Sequence, residues 1–249
     1  MIHLKTPKEI EILRRANQII AETREVLIPM MKAGATTWDL DKVADETFRS
    51  KGAKSAFKGY KGFPASICVS INNEIVHGIP SKKRVLKEGD IVGLDMGTIY
   101  QGYYGDSAVT VAVGSASEAA LKLMKITQES LHLGIEEARP GARLYDIGAA
   151  VQEHAENAGF SVVRDFVGHG IGQQLHEEPQ VPNYGQRGRG MVLQAGMVLA
   201  IEPMINEGSP DVKMKEDGWT AVTKDGKLSA HFEHSIAITE KGPVILSVL

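Results

Sequence analysis

The chain has 249 residues, of which 43% are hydrophobic and 24% charged, so it can bury a substantial core as one large domain or two fused halves. Its formal net charge of −3 excludes a general attraction to nucleic acid, so we expect no direct DNA binding, and its single cysteine excludes an intrachain disulfide. No stretch approaches the roughly 18 apolar residues of a membrane span, and residues 1–8 lack the apolar core of a secretory signal, which indicates a cytoplasmic location.

The first predicted elements are two helices. The segment Thr6–Glu9 combines an N-cap threonine, a proline at the first helical position and a glutamate three residues after the cap, which is a capping box. An apolar stripe from Leu13 to Leu27 predicts a helix that reaches about Met31 and packs on a sheet. A shorter helix is predicted over roughly 38–51 and ends at Gly52.

A β-hairpin that carries two aspartates is predicted next. Asp95 and Asp106 lie in β-rich runs on either side of a short connection. If Tyr100 and Gln101 form a two-residue loop, the two aspartates stand directly opposite each other, with Cβ atoms about 4.5–5.5 Å apart. Carboxylates this close repel each other unless they are protonated or neutralised by cations, so the pair predicts a cation site.

The second half of the chain repeats these signals. Ser115–Glu118 resembles the first capping box, and helices are predicted to about Ala138 and over roughly 145–157. A spacing of 107 residues relates several glycines and one pair of carboxylates: Gly34 and Gly141, Gly52 and Gly159, Gly89 and Gly196, Asp95 and Glu202. A period this long predicts one domain, 1–249, made of two duplicated halves, roughly 1–114 and 115–249, each with a carboxylate at the end of an equivalent strand.

Three further candidate ligands lie in the second half. His169 is predicted in a glycine-rich turn, where the imidazole can approach a ligand closely. Glu202 extends an apolar strand, and Glu233 shares one face of an alternating strand with small polar residues. The same alternation predicts that His234 points away from that face, whereas it groups His231 with Glu233 and leaves the role of His231 open.

These residues define the chemistry that we expect. Two aspartates, one histidine and two glutamates are the oxygen-rich ligand set of a two-metal hydrolase, and not the cysteine-rich set of a structural zinc site. Neither His77 nor His176 belongs to a His-Glu-x-x-His helix, so a zincin site is not supported. The glycines around His169 do not form a phosphate-binding pattern either.

An ordered set of motifs closely resembles the bacterial-type, class I methionine aminopeptidases over essentially the whole chain. The motifs are His77-Gly-Ile-Pro80, Asp95, Asp106, Gly168-His-Gly-Ile-Gly172, His176-Glu-Glu-Pro179, Ile201-Glu202-Pro-Met204, Asp217-Gly-Trp219 and Phe232-Glu233-His234. The short distance from His169 to Glu202 leaves no space for the helical insertion of class II relatives. The resemblance implies an α+β pita-bread fold, with two pseudo-symmetric halves around a curved antiparallel sheet and helices on its outer face.

The resemblance also implies a role for each candidate ligand. Asp95 would bind one of two divalent ions (Co, Mn, Fe or Zn), Asp106 and Glu233 would bridge both, and His169 with Glu202 would complete the second. A water that bridges two such ions can ionise near neutral pH and attack the scissile carbonyl as hydroxide. Glu202 would carry the proton from that water to the departing amine.

Substrate contacts follow from the same resemblance. His77 and His176 would contact the substrate amide and stabilise the tetrahedral intermediate by hydrogen bonding. The methionine side chain would enter a pocket formed by Tyr60, Phe63, Cys68, Leu175 and Trp219. Leu175 stands where relatives often have phenylalanine, and Lys61 where they often have histidine, so pocket shape is expected to differ. A monovalent cation site would involve Asn72, Glu74 through its backbone, and Ser229.

The expected function is removal of the initiator methionine from nascent proteins whose second residue is small, by a monomer that associates transiently with ribosomes. One alternative is an X-Pro dipeptidase, but those relatives carry an extra N-terminal domain that we do not expect here. Another is a non-catalytic pita-bread binding module. The five intact ligand positions argue against that second alternative.

Overall fold

The structure is a computed structural model that describes residues 2–249. Within these residues it has four α-helices, arranged in two pairs. They are α1 (Pro7–Leu27), α2 (Thr37–Ser50), α3 (Glu118–Glu137) and α4 (Leu144–Asn157), with short 3-10 helices at Ile28–Met30 and Tyr60–Gly62. All four predicted helices are therefore confirmed. In the described residues no helix is both long enough and apolar enough to cross a membrane.

The capping box of α1 is confirmed. The Thr6 hydroxyl accepts from the Glu9 backbone N–H, and the Glu9 carboxylate accepts from the Thr6 backbone N–H at 2.7 Å. The α-helix ends at Leu27 because Pro29 has no N–H to continue the hydrogen-bond ladder. A 3-10 turn then carries the chain to Met30, one residue short of the predicted end.

The predicted cap of α3 is wrong by two residues. Ser117, and not Ser115, is the N-cap, and its hydroxyl accepts from the backbone N–H of Ala120. Glu118 is consequently the first helical residue and cannot complete a capping box. The backbone N–H of Ser115 instead donates to the carboxylate of Glu88 at 2.7 Å, which holds this residue in the preceding turn.

Antiparallel strands make up the sheets. Their bounds are β1 (Lys54–Ser55), β2 (Cys68–Ile71), β3 (Glu74–Val76), β4 (Ile91–Tyr100), β5 (Tyr103–Ala112), β6 (Ser161–Val162), β7 (Gly168–Gly170), β8 (Glu177–Val181), β9 (Val198–Ile201), β10 (Met204–Asn206), β11 (Val212–Met214), β12 (Ala221–Thr223), β13 (Ser229–His231), β14 (His234–Thr239) and β15 (Gly242–Ile245). Strand β4 pairs with β5 on one edge and with β1 and β2 on the other. A five-stranded sheet has the order β15-β14-β9-β7-β8, and two smaller sheets have the orders β13-β10-β6 and β11-β12-β3.

The β4–β5 hairpin is confirmed, but its predicted register is wrong. The two-residue loop is Gln101-Gly102, with φ values of 48° and 82°. Asp95 therefore lies opposite Ala108, and Asp106 lies opposite Gly97. The reason is the turn type, because a tight hairpin loop needs positive φ at both central positions and glycine adopts it most readily at the second. The two aspartates still share one face of the hairpin, but as diagonal neighbours about 7–8 Å apart in backbone position.

The 107-residue spacing also relates structural elements. Helix α2 spans residues 37–50 and α4 spans 144–157, so their bounds differ by the same number at both ends. Isolated β-bridges join Thr36 to Val85 in the first half and Arg143 to Val192 in the second. The paired glycines have matching left-handed conformations; for Gly34 and Gly141, φ is 93° and 87°. Both halves therefore use the same turn geometry at equivalent positions.

The hydrophobic core is arranged around the junction of the two halves. One cluster packs α1 and α2 against β2 and β4, and a second packs α3 and α4 against β9 and β14. A third cluster draws residues from both halves, among them Leu13, Cys68, Ile171 and Val198. The face of the sheets that carries the candidate ligands borders this third cluster.

Candidate metal centre and substrate pocket

Two of the candidate ligands project from the β4–β5 hairpin. Asp95 lies in the middle of β4, where Cys68 of β2 and Ala108 of β5 are its neighbours across the strands. Asp106 lies near the start of β5 and its side chain is almost fully buried. Regular pairing on both edges of β4 thus fixes where Asp95 projects.

Glu233 lies at a break between two strands. The sequence predicts a continuous strand from Ser229 to Ile238, but β13 ends at His231 and β14 begins at His234. The backbone N–H of Glu233 donates instead to the carbonyl of Ala108 at 2.9 Å. Ser107 also lies in β5, and its hydroxyl donates to the Glu233 carbonyl at 2.8 Å. These bonds across the junction place the Glu233 carboxylate beside Asp106.

His169 lies in a strand, β7, and not in the glycine-rich turn that the sequence predicts. The glycines on either side allow this strand to pack closely, since a side chain at Gly168 would collide with the carbonyl of Ala200. The Nδ1 atom of His169 lies 2.9 Å from the carbonyl of Gly170. A carbonyl can only accept, so Nδ1 carries the proton and Nε2 keeps its lone pair for a metal ion.

The structure brings all five candidate ligands to one cavity of about 240 Å³. Ligand atoms of Asp106, His169 and Glu233 lie within 4.8 Å of one another. The Nε2 atom of His169 is 3.7 Å from Asp106 Oδ2 and 3.5 Å from Glu202 Oε1. Asp95 lines the same cavity. Asp106, His169 and Glu233 together offer one imidazole nitrogen and carboxylate oxygens. These are donors that divalent transition-metal ions, including Mn²⁺, accept.

The electrostatics of the cluster fit bound cations. Buried oxygens of Asp95, Asp106 and Glu233 have no hydrogen-bond partner in residues 2–249. Burial raises the pKa of Asp95 to about 7. Burial and repulsion between neighbouring carboxylates raise the pKa of Asp106 and Glu233 well above the usual range, and burial with repulsion from Asp95 does so for Glu202. Four crowded carboxylates, three of them with an unpaired buried oxygen, are costly without positive charge, so the residues present fit divalent metal ions.

An apolar slot opens beside the carboxylates in the same cavity. All five residues predicted for the methionine side chain line it: Tyr60, Phe63, Cys68, Leu175 and Trp219. The rings of Phe63 and Trp219 meet edge to face with centroids 5.1 Å apart, which is a favourable aromatic geometry. Lys61 also lines the cavity, at the position where the sequence departs from the related pattern.

His77 and His176 lie on opposite segments that border the cavity. His77 has a φ of 62°, an uncommon conformation for a residue with a side chain. The ring centroid of His176 is 4.3 Å from that of His169, and its Nδ1 atom is 2.9 Å from the hydroxyl of Tyr60. Burial lowers the pKa of His77 to about 4 and lowers that of His176, so both rings are neutral at pH 7. A neutral imidazole can donate one hydrogen bond and accept another.

The chain that forms this cavity is extensively similar to known proteins. Residues 11–240 match the family model described as metallopeptidase family M24. The chain belongs to metallopeptidase family M24. It is 54% identical over 247 residues to methionine aminopeptidase 1 of Bacillus subtilis, with 99% of each chain covered, and 53% identical to methionine aminopeptidase of Clostridium acetobutylicum, with 100% of this chain and 99% of that one covered.

A solved M24 structure has the same architecture. The crystal structure of methionine aminopeptidase from Thermotoga maritima superposes with a TM-score of 0.99, at 50% identity and 100% coverage of both chains. The family and the pita-bread fold implied by the sequence motifs are therefore confirmed. The fold is α+β, with helices and antiparallel sheets.

The sequence motifs did not identify two residues at this site, His231 and Phe57. His231 is buried, and its Nε2 atom has no hydrogen-bond partner in the described residues and lies 3.9 Å from Glu202 Oε2. Phe57 lines the apolar slot, and its ring occupies the space that a side chain at Gly97 would need. The glycine at position 97 of an otherwise regular strand was the available signal for this close contact. His234 points away, as its alternation predicts, with Nδ1 2.7 Å from the Ser247 hydroxyl.

The residues of the expected monovalent cation site, Asn72, Glu74 and Ser229, lie close together. The backbone N–H of Ser229 donates to the carbonyl of Asn72 at 2.9 Å. The side-chain amide of Asn72 is already bonded to Asp90 and to the backbone N–H of Ile91. The Glu74 carboxylate is held by two basic side chains, so only its backbone carbonyl is compatible with the expected role.

Proposed function

We propose that this chain is a metalloaminopeptidase that removes the initiator methionine from nascent proteins whose second residue is small. The observation that carries the proposal is the position of the apolar aromatic slot directly beside four buried carboxylates and one imidazole. A flexible thioether side chain suits such a slot. The extensive similarity to methionine aminopeptidases supports the same activity.

The proposed metal centre uses the five ligands in distinct ways. Asp95 would hold one divalent ion, Asp106 and Glu233 would bridge two, and His169 with Glu202 would complete the second. Ions bound there would polarise the scissile carbonyl and lower the pKa of a water molecule. The identity of the metal would follow its availability among Co, Mn, Fe and Zn, because carboxylate and imidazole ligands accept all four.

The protein's own residues supply the rest of the mechanism. Glu202 accepts a proton and passes it to the departing amine, since its carboxylate lines the cavity beside His169 and the other carboxylates. The neutral rings of His77 and His176 donate hydrogen bonds to the substrate amide as charge develops on its oxygen. Phe63 and Trp219 hold the methionine side chain, which fixes the position of the first peptide bond.

Several further features belong to this proposal. The chain acts as a single catalytic domain, 1–249, built from the duplicated halves 1–114 and 115–249. It is a cytoplasmic monomer that meets nascent N-termini during transient contact with ribosomes, and one monovalent cation binds near Asn72, Glu74 and Ser229. Cosedimentation with ribosomes and light scattering after gel filtration test the partner and the oligomeric state.

Methionine release from Met-Gly-Met peptides decides the proposed function. Chelator-treated protein is assayed with added Mn²⁺, Fe²⁺ or Co²⁺, and release is expected with at least one of them. No release under any metal contradicts the proposal, and cleavage of X-Pro dipeptides in its place would indicate the dipeptidase alternative. Peptides that differ only in the second residue, glycine against leucine, test the preference for a small side chain.

A further inference from the structure

A buried carboxylate that the proposed chemistry does not use is bonded to two segments that carry residues of the substrate cavity. The side chain of Glu74, on β3, is only 6% exposed. It accepts a hydrogen bond from the backbone N–H of Ile71 at 2.8 Å and from Lys215 Nζ at 2.6 Å, and it forms an ion pair with Arg84. The resemblance to methionine aminopeptidases implies only a backbone role for Glu74 at a cation site, so its side-chain contacts are not explained by that role.

Arg84 links Glu74 to the segment that bears His77. One guanidinium nitrogen pairs with the Glu74 carboxylate, and the other donates to the carbonyl of Ile79 at 2.6 Å. Ile79 lies two residues after His77, whose left-handed backbone conformation needs support from its surroundings. Arg84 therefore fixes the same short segment that presents the His77 ring to the cavity.

Lys215 links Glu74 to a different segment, the hairpin between β11 and β12. The backbone N–H of Lys215 donates to the carbonyl of Thr220 at 2.9 Å and closes the loop that carries Trp219. The hydroxyl of Thr220 in turn lies 3.4 Å from the carbonyl of His77. The rings of His77 and Trp219 are perpendicular, with centroids 6.4 Å apart. One carboxylate is thus bonded to the supports of both rings.

We propose that Glu74, Arg84 and Lys215 form a clamp that positions the neighbouring rings of His77 and Trp219 at the substrate cavity. The inference rests on the proposed function, since it assigns the clamp to the residues that bind methionine and its amide. The clamp residues do not touch the substrate; they are positioning residues that act through the two rings. Because Arg84 supports His77 and Lys215 supports Trp219, the two arms have separable kinetic effects.

Kinetics of two arm variants test the clamp. Lys215→Met loosens the Trp219 loop and is expected to raise KM about tenfold with a smaller change in kcat, because Trp219 binds the side chain before reaction. Arg84→Met is expected to lower kcat about tenfold with a smaller change in KM, because His77 acts as charge develops. The double variant should lose less than the product of the two losses, since both arms act through Glu74.

Matched control variants distinguish the positioning of His77 and Trp219 by the clamp from the general effect of losing any ion pair. Lys51→Met removes the Lys51–Glu22 ion pair, which has a similar length of 2.5 Å and lies away from the cavity, and should leave kcat/KM within about twofold. Lys215→Arg keeps a positive charge beside Glu74 and should leave KM close to that of the unaltered protein. Arg84→Lys cannot reach both Glu74 and Ile79 and should not restore kcat. Arm variants whose kinetics match those of Lys51→Met would overturn the clamp.

Fluorescence tests the clamp even if the protein releases no methionine. Trp38 and Trp219 are the two tryptophans, so a Trp38→Phe background reports on Trp219 alone. In that background Glu74→Gln and Lys215→Met should shift Trp219 emission to the red and increase quenching by acrylamide, while Lys51→Met should not. Unchanged Trp219 emission in folded Glu74→Gln and Lys215→Met proteins contradicts the clamp, whatever the outcome of the peptide assay.

Discussion

Asp95 and Glu202 occupy equivalent positions in the two halves, yet their surroundings differ. Asp95 lies inside β4, which continues to Tyr100 and is paired on both edges. Glu202 comes directly after the end of β9 and before Pro203, and its side chain is 14% exposed. The first position suits a fixed metal ligand, whereas the second leaves a longer carboxylate free to exchange protons. Two carboxylates related by the 107-residue spacing can thus take different tasks.

The largest expected effect on activity comes from removing Asp106, the second candidate ligand of the β4–β5 hairpin. Asp106→Ala deletes a carboxylate that is proposed to bridge both metal ions, so kcat/KM should fall on the order of a thousandfold or more. Methionine release and metal content of the purified variant check this. Near-normal activity together with full metal binding would show that Asp106 does not bridge.

Neutralising each of the two equivalent carboxylates sharpens the contrast. Glu202→Gln should lower kcat roughly a hundredfold through loss of proton transfer, while Asp95→Asn should act mainly by weakening metal affinity. Calorimetric metal titration beside steady-state kinetics at saturating metal separates the two effects. If excess metal rescues both variants equally, the division of tasks is wrong.

A smaller effect is expected in the apolar slot, away from the carboxylates. Trp219→Ala removes the edge-to-face contact with Phe63 and part of the methionine-binding surface, at a cost of about 1–2 kcal/mol, or roughly a tenfold rise in KM. Since Trp219 offers no carboxylate or imidazole to a metal ion, metal affinity should be unchanged. A fall in metal content of this variant would show that slot and metal centre are not independent.

The pH dependence of stability is expected to show the mildest change. Each carboxyl with a raised pKa holds a proton in the folded state that it loses on unfolding, so the metal-free protein loses stability as pH rises. Below about pH 6.5 the buried histidines oppose this, because their lowered pKa values make them gain protons on unfolding. Asp95, with a pKa of about 7, contributes up to that pH, and the raised pKa values of Asp106, Glu202 and Glu233 act in the same direction.

Thermal melts of chelator-treated protein above about pH 6.5 isolate the carboxyls, because the histidines no longer gain protons on unfolding there. A gradual loss of stability as pH rises is expected, because the folded state holds protons that the unfolded state releases. Saturating Mn²⁺ should abolish the trend, because bound cations keep the carboxylates ionised. Stability that rises with pH in the metal-free protein would contradict the raised pKa values.

Local patterns predicted much of the fold. The capping box at Thr6 and the apolar stripe of α1 are periodic signals within one segment, and the bounds of α1, α2 and α4 agree with them to within a few residues. The hairpin register was wrong because either Tyr100-Gln101 or Gln101-Gly102 could form a two-residue loop. The positive φ values of Gln101 and Gly102 decided between them.

The site was predictable to the extent that its residues occur in recognisable motifs. All five candidate ligands lie around one cavity, and each could be named from its own short segment. The clamp could not, because Lys215 is 141 residues from Glu74 and no local pattern relates them. His231 was equally ambiguous, since alternation alone does not show that its strand ends before Glu233.

The central claim is that the five clustered ligands hold two metal ions that enable methionine release. Chelator-treated protein is titrated with Mn²⁺ while bound metal and release from Met-Gly-Met are measured in the same samples. We predict no release without metal, activity that rises as Mn²⁺ binds, and two ions per chain at saturation. Release from metal-free protein, or metal binding that Asp106→Ala leaves unchanged, would contradict the account.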